Sequence, residues 1–183
     1  DKDVSIDVEV ANPLTTGLLF KAAGDNVLPM PSNYYTLLSN KIVIGKGNIT
    51  GGVDVQLTDA FFADPLALKN TYVIPLKMTN VVNADTILSG KALVANPNRA
   101  IATDWAITPK DFIFYAIKYV NPWDGFYLRR GKDVIVGKNG NTSLNKTITR
   151  HKEYVEYDEV FKINTLSLTN IDFPITYKDA GGN

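Results

Sequence analysis

The chain has no cysteine and a single histidine, His151, among its 183 residues. Without cysteine it can form no disulfide, supply no thiolate nucleophile and build no zinc site of the cysteine type. A histidine-based metal site or a Ser-His-Asp catalytic arrangement would depend on His151 alone, which lies among charged residues in Thr149-Arg-His-Lys-Glu153. We therefore expect neither a metal nor another cofactor.

The chain also lacks an excess of charge of either sign. Its 19 lysines and arginines balance 19 aspartates and glutamates, and the sequence pI is about 6.8. Because binding to a phosphate backbone rests on positive charge, nucleic acid is not an expected partner.

Long apolar runs are missing as well. The longest wholly apolar stretch is Phe112-Ile-Phe-Tyr-Ala-Ile117, whereas a membrane-spanning helix needs about 20 such residues. The sequence opens at Asp1 with neither the basic nor the apolar segment of a signal peptide, as in a mature chain whose signal has been removed.

Enzyme signatures are absent too. The sequence contains no Gly-x-Ser-x-Gly, no Walker A motif, no Gly-x-Gly-x-x-Gly and no His-Glu-x-x-His. The turns Gly45-Lys-Gly47 and Gly137-Lys-Asn-Gly140 lack the Gly-Lys-Ser/Thr ending of a phosphate loop and precede no helix. We predict that the protein is not an enzyme, although a cleft with two close carboxylates would revive that possibility.

The residues present favour β structure. Valine, isoleucine and threonine make up about a quarter of the chain, and 13 glycines and 9 prolines supply turns. Val4–Val10 alternates apolar and polar residues, which is typical of a half-buried strand. Pro75 lacks a backbone donor, so its strand is expected at a sheet edge or at a bulge. A short helix is expected over 60–63, capped by Thr58 or Asp59.

The strand pattern predicts an all-β protein with two units. An immunoglobulin-like β-sandwich is expected over residues 1–95, followed by a connection over 96–110 that contains a short strand. A second, smaller antiparallel β unit is expected over 111–183, as a partial barrel or a smaller sandwich. Its strands are predicted at 112–120, 125–130, 133–136, 146–157, 160–169 and 173–178.

The best candidate site is the segment Lys118–Gly131, where a strand meets a turn rich in aromatic and polar residues. The turn Asn121-Pro-Trp-Asp-Gly125 places Trp123 at a loop or a strand end. There its ring could stack on a sugar while nearby polar groups bond the hydroxyls. The predicted ligand-binding residues are Tyr119, Asn121, Trp123, Asp124, Tyr127, Arg129 and Arg130. The competing interpretation is structural, with Trp123 closing one end of a β unit beneath an arginine.

Three segments carry a resemblance to a known family: Asn33–Gly47, Gly52–Asp59 and Thr71–Leu76. They resemble an uncharacterised N-terminal β-sandwich domain family of exported lipoproteins from gut anaerobes, associated with starch-utilisation-like glycan-uptake systems. The segment Phe114–Gly131 looks like the start of a second domain, lipocalin-like or lectin-like in some members. The resemblance covers about residues 4–131, and two departures stand out: the lipidated cysteine is missing, and the second unit is short for an eight-stranded barrel.

The resemblance implies a non-enzymatic cell-surface protein that binds or presents glycans, whether polysaccharides or oligosaccharides. It also implies an exported protein, periplasmic or at the outer-membrane surface, held to the membrane only by a removed lipid anchor. Other surface uptake proteins would be its partners. Two alternatives remain open: a carrier of an apolar ligand such as a lipid, which predicts a closed apolar cavity, and a structural spacer or adhesin module, which predicts no pocket.

Overall fold

The computed structural model describes residues 2–182 and consists mostly of strands, which confirms the all-β prediction. The chain divides into two compact units, residues 1–119 and residues 120–183. In the described residues no helix is long and apolar enough to cross a membrane.

The first unit contains nine strands and one short α-helix. The strands are Val4–Val10 (β1), Leu28–Pro29 (β2), Tyr35–Leu37 (β3), Lys41–Ile44 (β4), Val55–Leu57 (β5), Tyr72–Val82 (β6), Lys91–Ala92 (β7), Trp105–Ile107 (β8) and Phe112–Ile117 (β9). The α-helix is Asp59–Ala63 (α1), and 3-10 turns lie at Asn12–Thr15, Pro65–Leu68 and Ala102–Asp104. The predictions for β1 and for the presence of the short helix are confirmed, but the predicted cap is not: Thr58 occupies the N-cap position, and its hydroxyl donates to the Asn33 carbonyl at 2.8 Å instead of capping the helix.

The main sheet of this unit is built around β6. One edge of β6 pairs with β1 and, beyond the end of β1, with β2, and the other edge of β6 pairs with β9; β4 pairs with the far edge of β1. All these pairs are antiparallel except β2 with β6. A register shift between Asp7 and Val8 marks a bulge in the pairing of β1 with β6.

Pro75 lies in this central strand and not at a sheet edge; the strand does carry a bulge, the other predicted possibility, but at Thr79 and not at Pro75. Its carbonyl accepts a 2.8 Å hydrogen bond from the Ala11 backbone, which shows that the Pro75 backbone faces the edge that β1 and β2 share. Strand β1 ends at Val10 and β2 contacts β6 only at Tyr72 and Val73. The missing donor therefore falls between the two neighbouring strands, where no ladder bond is lost.

One face of the main sheet carries the core of the first unit. There Phe61 of α1 packs with Ile74 and Leu76 of β6, each at most 1% exposed, and apolar side chains of the pair β3 and β5 pack against this cluster. Asp64 lies at the edge of this core, where its carboxylate accepts hydrogen bonds from the hydroxyls of Tyr34 (3.0 Å) and Tyr72 (2.5 Å). This is a two-layered β arrangement; its immunoglobulin-like character stays a prediction.

Strand β9 belongs to the first unit rather than to the second, where the sequence analysis had placed it. Its period-2 pattern identified a strand but carried no information about its neighbour, which is β6. The preceding connection contains β8 and is fastened by Arg99, whose guanidinium contacts the 2% exposed carboxylate of Asp111 at 3.1 to 3.2 Å.

The second unit contains five strands in two separate sheets. The strands are Gly125–Arg129 (β10), Lys132–Ile135 (β11), Lys146–Thr149 (β12), Glu159–Thr165 (β13) and Ile171–Asp172 (β14), with 3-10 turns at Lys138–Gly140, Thr142–Leu144 and Val155–Tyr157. Strands β10, β13 and β14 form one antiparallel sheet, and β11 pairs with β12 in the other.

The strands predicted at 125–130, 133–136, 146–157 and 160–169 are present, the last two shorter than predicted, and the strand predicted at 173–178 is absent. The strand predicted over 146–157 ends at Thr149, and the chain then forms the 3-10 turn at Val155–Tyr157. The segment 173–178 is not a strand. Apolar residues in these segments suggested strands, but a strand also requires a neighbouring backbone with which to pair.

Candidate functional site

The candidate site begins with a tight turn over residues 121–124. The Asp124 backbone N–H donates to the Asn121 carbonyl at 2.9 Å, and the Trp123 N–H donates to Asn121 Oδ1 at 2.9 Å. This is an asparagine-stabilised turn, as Asn-Pro sequences favour. It leaves the Trp123 side chain 65% exposed, so the ring lies on the surface instead of closing the end of a β unit.

Asn121 anchors the turn from inside. It is 4% exposed, and its side-chain amide donates to the carbonyls of Ser167 (3.3 Å) and Leu168 (2.8 Å). Its backbone N–H donates to Thr165 Oγ1 at 3.0 Å. Because both ends of the side chain are bonded within the unit, Asn121 positions Trp123 and does not face a ligand.

Asp124 is bonded to β13. Its carboxylate accepts hydrogen bonds from the Lys162 ammonium and from the Thr165 hydroxyl and backbone N–H, the last two at 2.8 Å. The Lys162 hydrogen bond, followed by those from Thr165, lowers the pKa of Asp124 to about 2. The carboxylate is therefore ionised at neutral pH, which gives this surface a fixed negative charge paired with a lysine.

Strand β10 exposes apolar side chains next to this pair, and these side chains are not among the predicted ligand-binding residues. Phe126 is 76% exposed and Leu128 51%, and both lie on the face that carries Val160 and Lys162 of β13. The Lys162 ammonium lies 5.5 Å from the centroid of the Phe126 ring. The signal was present in the alternation of Gly125-Phe-Tyr-Leu-Arg129, but the alternation does not identify the face that is exposed.

Tyr127 lies on the other face of β10 and is 38% exposed. Its hydroxyl donates to the Trp123 carbonyl at 3.1 Å, which adds a second restraint on the turn. Tyr127 thus contacts the turn that carries Trp123 and Asp124, and the binding role of these three residues stays a prediction.

Arg129 and Arg130 are held in ion pairs. The Arg129 side chain is 12% exposed, contacts Asp133 at 2.6 Å and lies over the rings of Phe161 and Tyr177 at 5.1 and 5.3 Å. Arg130 is half exposed, and its Nε lies 2.8 Å from the buried carboxylate of Asp158. Arg129 therefore holds the unit together, and ligand binding by Arg130 would compete with its ion pair.

Tyr119 belongs to the first unit, whereas the other candidates belong to the second. It is 8% exposed, its N–H donates to the Ala67 carbonyl at 2.9 Å, and its ring packs edge-on against Phe62. Burial raises the pKa of its hydroxyl, which has no hydrogen-bond partner among residues 2–182. Tyr119 is therefore a packing residue of the first unit.

His151 is exposed. Within the described part of the chain, no group of three or more histidine, aspartate or glutamate side chains is arranged to hold a metal ion.

The first unit has two apolar cavities on the core-bearing face of its main sheet. One, of about 330 Å³, is lined by Val53 and Val55 and by β9. The other, of about 360 Å³, is lined by Ile6, Ile42 and Met78 together with the start of β9. Both are open to solvent and share Leu76 and Tyr115 in their linings, so they form one apolar groove along β9.

Two family models match parts of the chain. One, described as an N-terminal domain, matches residues 1–85, and a domain of unknown function, DUF5627, matches residues 122–183. These matches fall within the two compact units of the structure.

A crystal structure from Bacteroides ovatus, described as a structural genomics protein of unknown function, is 48% identical to this chain with a TM-score of 0.85. The match covers 100% of this chain and 56% of that one, so this chain spans little more than half the length of that protein. No curated protein matches the chain. The findings agree with a resemblance to an uncharacterised family.

Proposed function

We propose that the second unit binds carbohydrate without transforming it, through the turn and strand segment Trp123–Phe126. The observation that carries the proposal is the exposure of two aromatic rings, Trp123 at 65% and Phe126 at 76%, on a backbone held by buried hydrogen bonds. Large exposed aromatic rings on a rigid segment are the surface feature that sugar recognition uses.

The chemistry of the segment suits a pyranose. The apolar face of the sugar would stack on an aromatic ring, while the Asp124 carboxylate and the Lys162 ammonium accept and donate hydrogen bonds to hydroxyls. Because the Asn121 amide already fixes the turn, little conformational entropy would be lost on binding.

The test is a binding screen of the whole chain against a panel of polysaccharides and host-type oligosaccharides, with titration calorimetry on any hit. We expect Trp123→Ala to weaken binding by about 1 to 3 kcal/mol, roughly 5- to 150-fold, with the fold preserved. Tyr157→Ala is the matched control, because Tyr157 is also aromatic and 68% exposed in the same unit. Equal loss in both variants, or none in Trp123→Ala, would contradict the proposed site.

A fatty-acid set in the same screen separates the alternatives. A fatty-acid hit without a glycan hit would favour the carrier of an apolar ligand, for which the groove of the first unit is the supporting observation. No binding to either the glycans or the fatty acids would favour a spacer or adhesin module.

We further propose that the natural protein is an exported lipoprotein, periplasmic or at the outer-membrane surface, and a component of a glycan-uptake system. The resemblance in sequence and the similarity to a Bacteroides protein support this proposal. Radiolabelled palmitate incorporation into the natural full-length protein, followed by protease accessibility on intact cells, tests the anchor and the location separately. A protein found only in the cytoplasm would contradict it.

A further inference from the structure

Strand β9 is an open edge of the main sheet in the first unit. It pairs with β6 on one side, and among residues 2–182 no strand pairs with its other side. The opposite end of the sheet differs, because β4 is bridged by Gly52 opposite Val43.

The direction of the free backbone groups follows from Pro75. The carbonyl of Pro75 faces β1, and Pro75 lies directly opposite Phe114. In an antiparallel pair, residues whose backbone groups face away from each other alternate with hydrogen-bonded pairs. The N–H and C=O of Phe112, Phe114 and Ala116 therefore point outward, and within the described chain they have no hydrogen-bond partner.

This edge is also apolar and uncharged. Phe112–Ile117 contains no polar side chain apart from the Tyr115 hydroxyl, while Ile113 and Tyr115 are 48% and 40% exposed. Natural proteins usually protect an open edge with lysine, proline, a bulge or a cover, and β9 shows none of these between Asp111 and Lys118. Its inner face borders the apolar groove.

We propose that β9 is a dimerisation edge, to which β9 of a second copy adds antiparallel so that the sheet continues from one subunit into the other. Only outward-pointing positions can bond each other, so an even position must lie opposite an even one. With Phe114 opposite itself, Lys110 would face Lys118 of the other copy, and like charges opposed are unfavourable. Neither of the two one-pair shifts sets a charge against a charge, but only the one that places Phe114 opposite Ala116 and Tyr115 opposite Tyr115 keeps five residues of β9 paired, Ile113–Ile117.

In this register, side chains that are exposed in a single copy become buried between the two copies. Ile113 lies opposite Ile117, and the two Tyr115 rings meet on the face that borders the groove. The added strand thus supplies hydrogen bonds along the edge and apolar side chains beside the cavities, which is how sheets accept an extra strand.

The absence of cysteine makes the register directly testable. We expect Tyr115→Cys to form a disulfide-linked dimer of the whole chain in a glutathione redox buffer, because position 115 of one copy lies opposite position 115 of the other in a non-hydrogen-bonded pair. Ile113→Cys is the matched control, because position 113 lies on the same strand and face and is similarly exposed. In this register it faces Ile117 of the other copy, so the Ile113→Cys variant on its own should form no disulfide-linked dimer. Mixing Ile113→Cys with Ile117→Cys should restore the cross-link.

Sedimentation equilibrium of the unmodified chain tests the dimer itself. Ala116→Pro removes one outward N–H without touching the ladder to β6, and we expect it to weaken dimerisation roughly tenfold, whereas Ala116→Ser should leave it unchanged. A chain that stays monomeric at all concentrations would overturn the proposal, as would equal cross-linking of the Ile113→Cys and Tyr115→Cys variants. Binding of a fatty acid in the groove by a chain that never dimerises would also overturn it and assign the groove to an apolar ligand.

Discussion

Asn121→Ala should destabilise the second unit strongly, although the substitution removes only a small polar side chain. The side chain is 4% exposed and makes three hydrogen bonds, to the carbonyls of Ser167 and Leu168 and from the Trp123 N–H. A hydrogen bond contributes about 0.5 to 1.5 kcal/mol net, so the loss of all three bonds predicts a destabilisation of about 2 to 4 kcal/mol.

Hydrogen exchange measured by mass spectrometry on the intact chain can assign this loss to one unit. Peptides covering β13 should lose protection roughly 30- to 700-fold, the equivalent of about 2 to 4 kcal/mol. Peptides covering β6, in the first unit, serve as the internal reference and should be unchanged.

Asn170→Ala is the matched substitution for this measurement. Asn170 is exposed in the same unit, and its side chain makes no hydrogen bond within the described residues, so its removal should change protection little. A loss under twofold in Asn121→Ala, or an equal loss in both variants, would refute the argument that buried amide bonds hold the turn.

Two further predictions concern charged groups. Arg99→Ala leaves the 2% exposed carboxylate of Asp111 unpaired, so the first unit should lose about 3 kcal/mol of stability in denaturant titration, and Arg99→Lys should recover part of it; no change would contradict the burial argument. The pKa of Asp124 is about 2, below its ordinary value of 3.8, because Lys162 and Thr165 bond the carboxylate. A depressed pKa gives stability that is present above about pH 4 and lost as the pH falls toward about 2. The stability difference between the natural chain and Asp124→Asn should therefore shrink over that range in acid titrations followed by hydrogen exchange, and a constant difference would exclude this linkage.

Several residues were predicted to form one site because they are close in the sequence, but their exposed fractions in the structure differ widely. Trp123 and Tyr119 are four positions apart, yet one ring is 65% exposed in the second unit and the other is 8% exposed in the first. Asn121 is a good hydrogen-bonding residue for a sugar, but its partners at Ser167 and Leu168 are more than forty positions away. No local pattern indicates a partner at that distance.

Phe126 shows the same limit of sequence-based prediction, here through an exposed residue that was not predicted to belong to the site. Its alternation with Tyr127 on β10 was readable, but the face that packs inward is chosen by β13, where Phe161 stacks with Phe173 and Arg129. A strand has two equivalent faces until a neighbour covers one of them. The most exposed ring of the segment was therefore absent from the predicted site.

The sequence by itself determined the class of the protein and many of its local elements. Alternating apolar residues formed β1, turn chemistry placed Asn121–Asp124, and Thr58 with Pro65 bounded a short helix, because each of these depends on the preferences of adjacent residues. The tertiary structure alone decided that β9 pairs with β6, that Pro75 is tolerated in a central strand, and which side chains meet solvent. These outcomes depend on long-range backbone pairing and on which face a neighbouring layer covers, and neither is encoded in a short stretch of sequence.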